Sequence, residues 1–69
     1  MSKYMPTMTK TFRGKKYTLL TVVDTKAEAK RKVQRLRAMG EAAGAVSIPK
    51  APKGEAGYTR TRWAIYTRP

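Results

Sequence analysis

The sequence predicts a small α+β domain of β-β-α-β-β order, a four-stranded, mostly antiparallel sheet with one helix packed on one face. Three features point there. Two runs rich in Thr, β-branched and aromatic residues, 7–12 and 17–23, are split by a short basic turn that holds Gly14. A capping box, Thr25-Lys26-Ala27-Glu28, opens a stretch of helical apolar spacing that stops at Gly40. Two further strand-like runs, 45–48 and 58–67, flank a loop of Pro, Gly and Lys.

A chain of 69 residues is one domain. Its 16 Lys and Arg against 4 Asp and Glu leave a formal net charge of +12, whose self-repulsion works against a compact state. A domain this small buries only about 60% of the surface its unfolded chain exposes, so the core is thin. With no Cys and no His, neither a disulfide nor a structural zinc can reinforce it. Good packing, an oligomer or a bound polyanion must then supply the stability. The chain is 41% hydrophobic in patterned runs, which argues for folding. A disordered tail is expected only at 1–6 and a flexible loop at 49–57.

The first run is expected at a sheet edge, where Lys10 and Arg13 discourage edge-to-edge pairing. The second is apolar on both faces and belongs inside the sheet. The Thr25 hydroxyl can accept the Glu28 amide, and Asp24 places negative charge at the positive end of the helix dipole. Along the helix, which is expected to run to about Met39, Ala29, Val33, Leu36 and the following Gly40 fall on one narrow stripe. Lys30, Arg31, Gln34 and Ala38 lie opposite, flanked by Arg35, Arg37 and Lys26. Residues 41–44 read as a connection, 45–48 as a short strand, and 58–67 as the last and longest strand. A right-handed crossover from the second strand through the helix leaves room for the last strand between them. The preferred order is 1-2-4-3, because the last strand carries the only Trp and reads as long enough to be central, with 1-2-3-4 as the alternative.

Alternation along the last strand puts Thr59, Thr61, Trp63, Ile65 and Thr67 on one side. Trp63 and Ile65 are expected against the helix, completing a core with Leu20, Val22, Val33, Leu36, Val46 and Ile48. Tyr58, Arg60, Arg62, Tyr66 and Arg68 then fall on the uncovered face of the sheet. Arg pairs bidentately with phosphate, and Arg planes and Tyr rings stack on unpaired bases. A solvated face and a dimer contact are the competing explanations of the same residues. The helix cations Lys26, Lys30, Arg31, Arg35 and Arg37 agree in sign, where a merely solvated helix would interleave acids. Lys50 and Lys53 in the loop, and Arg13, Lys15 and Lys16 in the turn, are candidate phosphate contacts or simply solubilising.

Catalysis finds little to work with. Asp24 and Glu28 are accounted for at the helix start, Glu41 and Glu55 are isolated, and no metal-spaced ligands or phosphate-binding Gly loop can be assembled. The expectation is a non-enzymatic, cytoplasmic domain without cofactor, metal, membrane span or small-molecule substrate. Nucleic acid is the expected partner, single-stranded or structured RNA ahead of duplex DNA, although the characteristic RNP1 pattern of RRM domains is absent. A small homo-oligomeric or protein-interaction domain, with a homodimer through the open sheet, is the alternative. Residues 17–40 with the strand that follows resemble the strand-helix-strand segment of SPOR domains, which bind peptidoglycan. They are also similar to integrase-arm DNA-binding domains. SPOR domains carry two such units and integrase arms place three strands before the helix, so neither resemblance assigns a function or a residue here.

Overall fold

In the computed structural model of the chain, residues 4–68 are described. Strands β1 (Thr9–Phe12) and β2 (Lys15–Val23) form a hairpin closed by the Phe12↔Lys15 pair. Arg13 at φ 50° and Gly14 at φ 77° make the two-residue loop, a turn with both central residues left-handed, as in type I′. Met8 O accepts the Leu19 amide at 2.8 Å and carries the ladder one residue further.

Helix α1 (Lys26–Ala38) begins where the capping box predicts, with the Glu28 amide 3.1 Å from Thr25 Oγ1. It ends in a Schellman motif. The Gly40 amide donates to Arg37 O at 3.0 Å and the Glu41 amide to Leu36 O at 3.1 Å. This geometry needs a left-handed residue at Gly40, whose φ is 88°. So tight a stop lets β3 (Ala42–Ile48) start at once, three residues before the expected 45–48. Strand β4 (Arg62–Arg68) is shorter than expected, and β2 is the longest strand. The sheet order is β1-β2-β4-β3 with every neighbouring pair antiparallel, the order preferred from the sequence.

The sheet is packed on both faces. On the helix side Ala29, Val33, Leu36, Ala43 and Ile65 are buried together, with Val23 and Trp63 against them. On the opposite side Ile48, Ala64 and Tyr66 are buried beneath Phe12, Tyr17, Leu19, Val22, Val46 and Tyr58. This corrects the single core expected from the sequence. A β-bulge falls between Leu19, which pairs with Tyr66, and Thr21, which pairs with Ile65. One extra residue reverses the alternation beyond it, sending Val22 away from the helix and Val23 toward it. Leu20, the residue in excess, is 50% exposed. In β3, Ala43 faces the helix, which puts Val46 and Ile48 on the far side.

The sheet is also curled. Three strand spacings would hold β1 and β3 about 14 Å apart if the sheet were flat. Yet a methyl added to Gly44 on β3 would stand 4.0 Å from Phe12 Cζ on β1. The hairpin thus bends over the face opposite the helix, where Phe12 meets Tyr17 and Tyr66 edge-on, with ring centres 5.0 and 6.0 Å away. Two further segments cover the rest of that face. Tyr66 Oη donates to Thr7 O at 2.8 Å, and the backbone at Gly57 packs against Tyr4. Residues 1–3 of the expected tail lie outside the described residues, while Tyr4 and Pro6 are half-buried.

Candidate nucleic-acid interface

Of the residues expected to form an open Arg and Tyr platform, Tyr66 is closed off, Tyr58, Arg62 and Arg68 are half-buried, and Arg60 is exposed. Tyr66 is 2% exposed and its hydroxyl is spent on Thr7. Tyr58 precedes β4 and is half-buried against the far-side cluster, with the Arg62 guanidinium 4.7 Å from its ring centre. Arg62 in turn pairs with Asp24 at 2.9 Å, and Arg60 reaches the other carboxylate oxygen at 3.3 Å. Arg62 Nε is buried without a hydrogen-bond partner among the described residues. Alternation predicts the face of a side chain, but not what lies over it. Here the bent hairpin, residues 4–8 and the loop before β4 occupy the space assigned to bases. The exposed Arg and Tyr sheet face is therefore corrected to a second core with one ion-paired arginine cluster at its margin.

Other expected residues are accessible. Lys30, Arg31, Arg35 and Arg37 are exposed on α1 together with Lys26 and Lys32. The three buried residues Ala29, Val33 and Leu36 hold the helix by one stripe, so the cations surround the remaining circumference. Ion pairs between described residues converge on Asp24 and none reaches the helix, whose first turn holds one acid, Glu28. Arg31, Lys32 and Arg35 border a shallow groove of about 270 Å³ with Val23 and Glu28. Lys50 and Lys53 are exposed on the loop, away from any regular element. Arg68 is half-buried at the end of β4, opposite Ala42.

A second concavity brings together residues the sequence left apart. Between the β1–β2 turn and the C-terminal end of α1 lies an open cleft of about 600 Å³, lined among others by Phe12, Arg13, Lys15, Tyr17, Arg37 and Gly44. Arg37 Nη2 donates to Ala43 O at 3.1 Å, which fixes its guanidinium at the start of β3. The turn cations were visible as a basic cluster. Their meeting with Arg37 depends on the curl of the sheet, which no local pattern encodes. The one signal available is parity: Phe12, Lys15 and Tyr17 share a face through the Phe12↔Lys15 and Lys10↔Tyr17 pairs.

Among the described residues no helix is long and apolar enough to cross a membrane, and no three of His, Cys, Asp and Glu gather as metal ligands. Compared with known proteins, the chain matches no family model, no curated sequence and no solved structure.

Proposed function

We propose that this protein binds nucleic acid, chiefly through the phosphate backbone, with the cations of α1 and of the β1–β2 turn as its contacts. The observation that carries this reading is the uncompensated helix. Lys26, Lys30, Arg31, Lys32, Arg35 and Arg37 are all exposed, and among the described residues none is ion-paired. A surface with that charge excess is a counterion-release surface, and its natural ligand is a polyanion of regularly spaced charge. Stacking of bases on Tyr58 and Tyr66 has no part in it, because Tyr66 is buried and Tyr58 is covered by Arg62.

The test is a salt titration of binding to labelled single-stranded RNA, single-stranded DNA and duplex DNA. Counterion release gives a log-log slope of about −0.7 per phosphate contact on single strands and about −0.9 on duplex. Binding that persists in the micromolar range near 0.15 M salt, with such a slope, supports the reading. No binding, or an affinity indifferent to salt, removes it.

Self-association is a second reading, and one observation favours it. Among the described residues strand β3 pairs only with β4, and its seven residues hold neither a charge nor a proline. An edge left so plain is a template for a second strand. Sedimentation at high salt, where the +12 charges are screened, separates a dimer from a monomer.

A further inference from the structure

We propose that the cleft between the β1–β2 turn and the end of α1 is a nucleotide site, holding one phosphate and one unstacked base of a bound strand. The proposal rests on the nucleic-acid reading above and gives that reading a specific point of contact. Arg13, Lys15 and Arg37 reach the cleft from a turn, a strand and a helix, and no acid pairs with them among the described residues. Convergence from three elements is not what a merely solvated surface requires. One guanidinium, that of Arg37, is already oriented by Ala43 O, and its remaining N–H groups are free to take phosphate oxygens. Phe12 and Tyr17 stand in the same cleft with ring centres 5.0 Å apart and planes at 84°. They offer a base an aromatic wall beside the phosphate contacts. The volume of about 600 Å³ lies within the range of small-ligand clefts.

The backbone supplies an independent observation. Arg13 holds φ 50° at a turn position that strongly favours Asn, Asp or Gly. An arginine there is conformationally costly, and such strain is retained where the side chain serves a purpose. Here the purpose is a guanidinium at the mouth of the cleft.

Arg13→Asn separates function from folding, because Asn suits the turn while the charge is lost. The experiment follows backbone amides by NMR as adenosine monophosphate, inorganic phosphate and a short single-stranded oligonucleotide are titrated into the full chain. Adenosine monophosphate should shift the amides of Arg13, Lys15, Tyr17 and Gly44, and bind more tightly than inorganic phosphate. Arg13→Asn should keep its melting temperature or raise it while losing about tenfold in nucleotide affinity, the scale of a lost charge-assisted contact. Unmoved cleft amides, equal binding of phosphate and nucleotide, or an Arg13→Asn variant that binds like the parent would each overturn the site. If the oligonucleotide binds but moves only helix amides, the site falls and the nucleic-acid reading stands. If the nucleotide fills the cleft and no oligonucleotide is retained, the site stands and that reading falls.

Discussion

Arg62 and Asp24 are joined by a 2.9 Å ion pair that ties the first residue of β4 to the loop entering α1. Arg60 shares the carboxylate, and the Tyr58 ring lies beneath Arg62. Among the described residues, Asp24 is thus the one acid ion-paired to arginines, offsetting two of the sixteen cations in place. Asp24→Asn leaves a half-buried guanidinium without its counter-charge. Because both side chains remain partly in water, the loss should be modest, about 1 kcal/mol in urea denaturation. Nucleic-acid affinity should hold or rise, since the variant releases two arginines. A fall in affinity at unchanged stability would mean that Asp24 orients Arg60 and Arg62 for the ligand.

Tyr66 tests the closed face directly. Tyr66→Phe keeps the ring against Phe12 and removes the bond to Thr7 O together with the longer 3.5 Å contact to Thr7 Oγ1. That should cost about 1 kcal/mol and speed hydrogen exchange near residues 7–9, with binding to nucleic acid unchanged. Weakened binding without loss of stability would restore the sheet face as the platform.

The helix and the strand order were legible because their causes are local. Thr25 and Glu28 sit at capping-box spacing, Gly40 supplies the left-handed stop, and a crossover helix leaves a vacancy that β4 fills. The faces were not legible, because a single residue decides them. Nothing in Leu19-Leu20-Thr21 marks the bulge, yet it exchanges Val22 for Val23 in the helix-side core. The candidate site divides the same way. The sign of the charge and the exposed helix row follow from composition and spacing. The burial of Tyr66 and the meeting of Arg13 with Arg37 require the curl, which arises from long-range pairing.

Gly57 shows how tightly the covering segments fit. Its φ is 147°, and a Cβ there would stand 2.7 Å from Tyr4 Cβ and 2.9 Å from Ala51 Cβ. Gly57→Ala must push Tyr4 away, at a cost of about 2 kcal/mol, the range of an overpacked site. Limited proteolysis should then cut near residues 4–8 sooner than in the parent. Gly44→Ala is the control: its nearest neighbour is Phe12 Cζ at 4.0 Å, an ordinary contact, so stability should change little.

Arg13→Asn carries a stability prediction apart from binding. Asn adopts a left-handed φ more readily than Arg, a difference worth at most on the order of 1 kcal/mol. In a domain of this size that raises the melting temperature by at most about 4–8 °C. Calorimetry of the ligand-free protein checks it. A lower melting temperature would show that the Arg13 side chain makes stabilising contacts, and would remove strain as a reason for the arginine.

The helix and the loop make unequal predictions about salt. Lys30, Arg31 and Arg35 project from a rigid element, so their positions relative to a phosphate chain are fixed at little entropic cost. Lys50 and Lys53 lie on a loop outside helix and strand, held by Ala51 N–H to Tyr58 O and Glu55 N–H to Pro52 O, so their positions are less fixed than those of the helix row. Replacing the three helix cations with Gln, which preserves helix propensity, should lower the magnitude of the salt slope by about 2 to 3 units. Replacing both loop lysines should lower it by less than 1, although the loop loses two charges to the helix's three. Net charge alone would instead make the change proportional to the number of cations removed, wherever they sit. Slopes that scale in that way would reduce the helix from an interface to one part of a diffuse basic surface.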